Sequence, residues 1–179
     1  MSLNIEIDDL KLDVINIYAP NIPVERENFF RYLNTKTRTV RSENAELLLG
    51  GDFNCTFDVK IDRRISTLTR TLELTDRGSR ELTDLLSNYD LEDIWRRRNP
   101  NSRRYTYFKR NSKTASRIDF WLCTKSLDAD ILAASIKQSI KSDHNAIYIK
   151  LKTTPTERGP GFWKMSKNVL DSTLFDQLF

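Results

Sequence analysis

The segment from Leu12 to Ala19 is apolar on both faces of an extended chain, and this restricts the folds that the sequence can adopt. Alternate side chains of a strand point to opposite sides, so Leu12 and Val14 share one face while Ile15 and Ile17 share the other. A strand that is apolar on both faces is covered on both sides. The pattern therefore predicts a central strand with a layer of structure above and below it.

The rest of the chain predicts more strands than helices. Short apolar or aromatic runs favour strands, whereas apolar residues spaced three and four apart favour helices. We predict strands at Leu12–Ala19, Leu47–Leu49, Tyr105–Phe108, Ile118–Leu122 and Ala146–Leu151, and helices over Ser79–Asn88 and after Pro23, with Asn21 as a possible cap. The polar segment 109–116 predicts a hairpin with a basic tip between the third and fourth strands. A regular β-α-β alternation and a glycine-rich phosphate loop are both missing from the sequence, which argues against a doubly wound nucleotide-binding fold.

Charge and composition set weaker limits. The 29 Lys and Arg residues exceed the 25 Asp and Glu residues, and the net charge of +4 gives a mild attraction for polyanions. No apolar run approaches the roughly 18 residues that a membrane-spanning helix needs. The two cysteines, Cys55 and Cys123, have neither the number nor the spacing of a disulfide framework or a zinc site. We therefore expect a soluble intracellular protein.

A change of composition predicts the end of the domain. The segment 153–161 contains two prolines and two glycines in nine residues, which is typical of a linker. We predict one domain over residues 1–153 and a linker over residues 154–179.

The clearest local motif is Gly50-Gly51-Asp52-Phe53-Asn54. Residues two apart on an extended chain point to the same side, so Asp52 and Asn54 lie together. Hydrolysis of a phosphodiester requires an oriented water, a base or a metal to activate it, and hydrogen-bond donors for the developing charge. Taken alone, however, this motif is more often a turn at the end of a strand.

A second group of polar residues surrounds the only histidine, His144. His144 follows Asp143 just before the last predicted strand. Asp119 lies within an apolar strand and therefore requires a partner to offset its burial. Pairing with His144 would orient and charge the imidazole. The alternative is a salt bridge between Asp119 and Arg117.

These motifs together resemble the endonuclease/exonuclease/phosphatase superfamily, because five signatures occur in its order. They are NIYAPN at Asn16–Asn21, GGDFN at Gly50–Asn54, YTYF at Tyr105–Phe108, SRID at Ser116–Asp119 and SDH at Ser142–His144. The combination is most similar to the endonuclease domain of LINE-type (non-LTR) retrotransposons. The segment GPGFWKMSKNVL at Gly159–Leu170 is part of this similarity, and in that family the corresponding segment leads towards reverse transcriptase.

The resemblance implies an α/β fold (α+β in some schemes), namely the C-terminal portion of a four-layer α/β sandwich with two packed, mostly antiparallel sheets. It implies Mg²⁺ or Mn²⁺ as cofactor, no small-molecule cofactor, DNA as partner, no membrane association and a nuclear location. The implied reaction is hydrolysis of a phosphodiester without a covalent enzyme intermediate, as in a DNA-nicking endonuclease.

The resemblance also implies roles for particular residues. Tyr18 contacts the scissile phosphate, Asp52 positions or activates water, and Asn54 binds a phosphate oxygen. Asp119 orients His144, which stabilises the phosphoryl group, and Asp143 supports the metal. Contacts with DNA are expected from the hairpin and its surroundings: Arg103, Arg104, Thr106, Lys109, Arg110, Lys113 and Arg117.

The sequence departs from the superfamily in one respect. The early strand that carries an Asn and the later strand that supplies a metal-binding Glu have no counterpart in the chain, so we expect a fragment or a decayed copy with little or no nicking activity. A non-catalytic nucleic-acid-binding module is the main alternative, although the arginines from Arg96 to Arg104 could also form a solvated face. A phosphoinositide or sphingolipid phosphodiesterase is disfavoured by the segment Gly159–Phe179.

Overall fold

The computed structural model describes residues 2–64, 76–110 and 113–152. The predicted linker over 154–179 and the predicted boundary at Thr153 lie outside the described residues. None of the described helices is long and apolar enough to cross a membrane.

A five-stranded sheet forms the centre of the described chain. Its strands, in spatial order, are β1 (Ser2–Ile7), β2 (Leu10–Tyr18), β3 (Glu46–Asp52), β8 (Asp119–Thr124) and β5 (Leu91–Asp93). β2 and β3 are parallel, and the other neighbouring pairs are antiparallel. The prediction that Leu12–Ala19 forms a central strand is confirmed, because β2 lies between β1 and β3.

The two faces of this sheet are covered by different layers. Ile15 and Ile17 pack in one core with Phe30 and Leu33 of α1 (Pro23–Val40) and with the leucines of α3 (Ser79–Asn88). Leu12, on the other face, packs in a second core towards β9 (Ile131–Lys137) and β10 (Ala146–Leu151), which form an antiparallel pair. The two-faced apolar pattern of β2 thus reflects a helix layer on one side and a second sheet on the other.

The first helix begins differently from the prediction. Pro23 occupies its first turn, as expected, but Ile22 is the N-cap residue and makes no side-chain cap hydrogen bond. The backbone oxygen of Asn21 instead accepts a hydrogen bond from the buried side chain of Arg26. Asn21 therefore precedes the helix and is not its cap.

The predicted hairpin pairs different residues. β6 (Tyr107–Phe108) pairs with β7 (Ala115–Ser116), and β7 also pairs with β4 (Arg63–Arg64), which gives a small three-stranded sheet. Ile118–Leu122 is not the partner of Tyr105–Phe108, because β8 joins the central sheet between β3 and β5. The short helices α2 (Val59–Asp62) and α4 (Ile94–Arg98) complete the described elements, together with one 3-10 turn over Lys125–Asp130.

Candidate active site

Three neighbouring strands place Tyr18, Asp52 and Asp119 in one row. Tyr18 of β2 is paired with Asp52 of β3, and Asp52 is paired with Asp119 of β8. Side chains of directly opposite residues lie on the same face of a sheet. The row therefore faces the same side as Leu12 and Leu48, towards the second sheet, and Tyr18 is 80% exposed.

His144 reaches this row from the loop between β9 and β10. Its Nδ1 atom lies 3.1 Å from Oδ2 and 3.3 Å from Oδ1 of Asp119. The ring of Tyr107 lies against the imidazole, with the centroids 4.9 Å apart. The contact with Asp119 fixes the ring and leaves Nε2 as the nitrogen that a substrate can reach.

Asp52, Asp119 and His144 form a group that could hold a metal ion. One ligand atom of each lies within 4.8 Å of the others, and all three side chains are partly buried. Asp143, which we predicted to support the metal, is not a member of this group. Its side chain is exposed, and its backbone oxygen accepts a hydrogen bond from the backbone N–H of Phe108.

The GGDFN motif builds a tight corner beside Asp52. Gly51 has a φ of 137°, and a Cβ at this position would lie 2.0 Å from the backbone oxygen of Ile17. Asn54 has a φ of 48°, which Asn tolerates better than most residues. Its backbone N–H donates to Asp52 Oδ1 at 2.8 Å, and its Nδ2 donates to the Ala19 oxygen at 2.8 Å. Asn54 thereby holds the Asp52 carboxylate in place and retains one amide hydrogen for another acceptor.

The electrostatics of the site raise the pKa of the Asp52 carboxyl above its usual range. Burial is the main cause, because it disfavours the charged form, and the nearby Asp119 carboxylate adds to the effect. The N–H of Asn54 and the imidazole of His144 act in the opposite direction. Asp52 and Asp119 are thus two carboxylates held together at a half-buried position.

Thr106, which we predicted to face the DNA, is fully buried. Its hydroxyl oxygen accepts hydrogen bonds from the backbone N–H groups of Ile118 at 3.0 Å and Asp119 at 3.1 Å. Its backbone oxygen accepts from the N–H of Asn145 at 2.6 Å. Thr106 therefore ties the strand that carries Asp119 to the loop that carries His144.

Arg117, another predicted DNA contact, has a side chain that is only 1% exposed. Its guanidinium donates to Asp62 at 2.7 Å and to Asp93 at 2.5 Å. The proposed alternative of an Arg117–Asp119 salt bridge is therefore wrong. Arg96 donates to the same Asp62 at 2.5 Å, which completes a buried network of two arginines and two aspartates.

The remaining basic residues divide into paired and unpaired groups. Arg97 pairs with Glu92 and Asp128, and Arg98 pairs with Asp128. Arg103 and Arg104 are exposed, and neither forms an ion pair or side-chain hydrogen bond with any residue in the described ranges. Among the predicted DNA contacts of the hairpin, the structure places the following at exposed positions: Lys109, Arg110 and Lys113.

The sequence analysis did not predict that Tyr107 packs against His144, and it did not identify the acidic partners of Arg117. Tyr105 and Tyr107 alternate with Thr106, and this pattern indicates that the two faces of the strand have different surroundings. No comparable local signal marks Asp62 and Asp93 as partners of Arg117, since these residues lie 55 and 24 positions away.

Comparison with known proteins agrees with this geometry. An AP endonuclease from Archaeoglobus fulgidus superposes with a TM-score of 0.66 and 20% identity over 79% of this chain and 62% of that chain. A 3'-5' exonuclease (NExo) from Neisseria meningitidis superposes with a TM-score of 0.67 and 19% identity over 84% of this chain and 64% of that chain. This chain has the AP endonuclease fold. The predicted fold class of packed α/β layers is confirmed.

A sequence relative connects this AP endonuclease-like chain with a mobile element. The 149 kDa protein of transposon TX1 from Xenopus laevis is 29% identical over 165 residues, which represent 91% of this chain and 12% of that protein. The chain thus spans about an eighth of the transposon protein. No family model matches the chain. The similarity supports the predicted relationship to a transposon protein.

Proposed function

We propose that this chain catalyses divalent-metal-dependent hydrolysis of phosphodiester bonds in DNA, as the nicking domain of a transposon-derived protein. The observation that carries the proposal is the group of Asp52, Asp119 and His144, in which His144 is oriented by Asp119 at the end of the central sheet. The AP endonuclease fold and the transposon relative support the same reaction class.

The ligand group fits a divalent cation. Carboxylate oxygens are ordinary ligands for Mn²⁺, and Mg²⁺ is commonly bound through one or two carboxylates, so Asp52 and Asp119 would be the ligands. A cation held by Asp52 and Asp119 would neutralise these carboxylates, and burial followed by the charge of Asp119 raises the pKa of Asp52. When bound, such an ion supplies charge stabilisation to the phosphoryl oxygens.

The protein side chains carry out the other steps of the reaction. Asp52 accepts a hydrogen bond from the attacking water and takes its proton as the water oxygen bonds to phosphorus. The P–O bond to the leaving strand breaks at the same centre, and the released oxygen takes a proton from solvent. His144, oriented by its contact with Asp119, donates from Nε2 to a phosphoryl oxygen as negative charge develops there. Asn54 donates its second amide hydrogen to another phosphate oxygen, and the exposed hydroxyl of Tyr18 contacts the scissile phosphate.

We further propose that the chain by itself nicks DNA slowly. The ligand group in the described part of the chain contains two carboxylates, whereas hard cations are held well only by several oxygen ligands. Loss of metal affinity reduces the neutralisation of phosphoryl charge, which is worth several kcal/mol and hence orders of magnitude in rate. A high concentration of Mn²⁺ should populate the weak site.

The test is conversion of supercoiled plasmid to nicked circles by the 179-residue chain, with Mn²⁺ or Mg²⁺. The variant Asp119→Asn removes the charge that orients His144, and Asp90→Asn makes the same chemical change at an exposed carboxylate beside the opposite end of β8. We expect slow Mn²⁺-dependent nicking that Asp90→Asn retains and Asp119→Asn loses.

Three results would count against the proposal. Nicking that survives Asp119→Asn would assign it to another site or a contaminant. Rapid nicking by the wild-type chain in Mg²⁺ would contradict the weak metal site. DNA binding without any nicking would overturn the enzymatic proposal in favour of the alternative, a non-catalytic nucleic-acid-binding module, which the unpaired Arg103 and Arg104 favour.

A further inference from the structure

A groove of about 560 Å³ lies between the C-terminal ends of α1 and α3. Two of its lining residues are arginines and none is acidic; the lining consists of Asn34, Thr35, Arg38, Arg41, Asn88 and Tyr89. The carboxylate of Asp90, next along the chain, is paired with Lys125. The groove therefore carries a net positive charge.

This groove is separated from the candidate active site by the length and the thickness of the central sheet. The active site lies where β8 begins, at Asp119, and faces the second sheet. The groove lies near the end of β8, because Thr124 pairs with Leu91, two residues after Tyr89, and it belongs to the helix layer on the other face. The strand between these ends spans about 17 Å. Duplex DNA is stiff, so a duplex bound at the active site does not bend around to the groove.

The two arginines of the groove have no internal counter-charge. Arg38 and Arg41 are exposed, and neither forms an ion pair or side-chain hydrogen bond with any residue that the structure describes. Glu43, two positions after Arg41, does not line the groove. By contrast, Arg31 of the same helix pairs with Glu81 at 2.7 Å. Guanidinium groups without an internal partner are suited to bind phosphate.

Hydrogen bonds in the wall of the groove fix a third donor beside the arginines. Asn88 Nδ2 donates to Asn34 Oδ1 at 3.2 Å, and the hydroxyl of Tyr89 donates to the backbone oxygen of Asn34. These contacts hold Asn34 and leave its Nδ2 group without a partner within residues 2–64, 76–110 and 113–152. An amide N–H₂ next to two guanidinium groups can donate to a phosphate oxygen.

The helix ends offer a purely structural reason for basic residues here, because the last carbonyl oxygens of a helix favour nearby cations. Arg38, in the last turn of α1, fits this explanation. Two of these carbonyl oxygens, however, already have donors: Thr37 accepts from the N–H of Arg41 at 3.1 Å, and Asn34 accepts from Tyr89. The two guanidinium groups therefore remain available to a ligand.

We propose that this groove binds the phosphodiester backbone of a second nucleic-acid segment, while the candidate active site holds the DNA that is cut. The inference rests on the proposed function only in taking the polyanion to be nucleic acid. Arg38 and Arg41 pair with phosphate oxygens, and Asn34 Nδ2 donates to another. The one aromatic residue of the lining, Tyr89, is partly buried, so the groove reads no bases and its binding is independent of sequence.

The test measures energy transfer between two short duplexes, one with a donor dye and one with an acceptor dye, mixed with the full 179-residue chain. EDTA is present so that no cleavage occurs. The wild type should bring the two duplexes together and give energy transfer. Arg38→Gln with Arg41→Gln should abolish the transfer and still bind a single labelled duplex, as fluorescence anisotropy measures.

A matched pair of variants removes the same charge from the same two helices. Arg31 and Arg80 line a neighbouring cavity in which Glu81 and Asp84 balance their charge. Arg31→Gln with Arg80→Gln should therefore retain the energy transfer. Thermal melting of both double variants separates binding from a role at the helix ends, since a helix-end role alone predicts a lower melting temperature with unchanged transfer.

The proposal is overturned if the wild type gives no transfer, if the Arg38 and Arg41 variant retains it, or if the control variant loses it equally. Inorganic phosphate added at constant ionic strength should leave the transfer intact, and its loss would assign the groove to an isolated phosphate ion instead. A chain that bridges two duplexes but never cuts would contradict the proposed function alone. A chain that cuts without bridging would contradict the second site alone.

Discussion

At the scale of single residues, Asp52 lies at a position that suits its proposed catalytic role but lowers the stability of the fold. Its pKa is raised, first by burial and then by Asp119, so the folded state binds a proton more tightly than the unfolded chain does. The contribution of Asp52 to stability is therefore greatest below the pKa of the unfolded carboxyl and is lost as pH rises through the folded pKa. Ionised Asp52 destabilises the fold at neutral pH.

We predict that Asp52→Asn stabilises the metal-free protein at pH 7, because the amide is of similar size and carries no charge. The gain should shrink as pH falls below the pKa of an unfolded Asp, where the wild-type carboxyl is also neutral. Urea unfolding at pH 7 and pH 3 in EDTA measures both values. Equal stabilisation at the two pH values would show that charge is not the cause.

A second prediction concerns Thr106, whose hydroxyl accepts two backbone N–H groups in the interior. Thr106→Val leaves these donors without an acceptor, which should cost about 1–3 kcal/mol of unfolding free energy. The nicking rate in Mn²⁺ should fall further than stability alone explains, because the backbone of Asp119 is no longer held by this hydroxyl. Thr106→Ser should restore both quantities, and a serine variant that behaves like valine would indicate a packing role instead.

Two kinds of site residue could be predicted from the sequence: those whose neighbours are close in the chain, and those that the superfamily resemblance supplied. Asp52 and Asn54 do lie together, but in a turn, because Asn54 has a φ of 48° and is not on the extended chain that the two-residue period assumes. The resemblance matched Asp119 with His144. The sequence did not predict that Thr106 and Arg117 are buried, because their burial depends on partners in distant segments. The residues around Arg117 would form the same local pattern whether its side chain were exposed or buried, because its partner Asp62 lies 55 residues away.

At the scale of elements, the network of Arg117, Arg96, Asp62 and Asp93 joins α2, β5 and α4 to the segment that precedes β8. Asp93 also accepts from the N–H of Arg96 and thereby caps α4. The strand prediction at Ile118–Leu122 was correct, but its pairing was wrong, since strand propensity does not specify a partner. The buried arginine immediately before β8 marks the point where the chain leaves one sheet for the other.

We predict that Arg117→Met destabilises the protein by about 3–5 kcal/mol, because two buried carboxylates lose their main counter-charge. Arg97→Gln, which breaks exposed ion pairs, should change the unfolding free energy far less. Urea denaturation of both variants at pH 7 provides the comparison. A small effect of Arg117→Met would mean that the network is dispensable for folding.

At the scale of the whole molecule, two packed sheets supply different parts of one site. The central sheet contributes the row of Tyr18, Asp52 and Asp119, and the loop between β9 and β10 brings His144 over it. The layered architecture followed from the two-faced pattern of Leu12–Ala19 together with the superfamily resemblance. The layer of strands β9 and β10 brings an otherwise isolated histidine into contact with a carboxylate 25 residues earlier.

The central claim is that His144 acts on the phosphodiester. The most direct test is the Mn²⁺-dependent nicking rate of His144→Ala relative to the wild type. DNA affinity and thermal melting are measured on the same two proteins. The account predicts a loss of about 10²-fold or more in rate with unchanged binding and melting. A variant that nicks at the wild-type rate, or whose rate falls only together with its melting temperature, would contradict it.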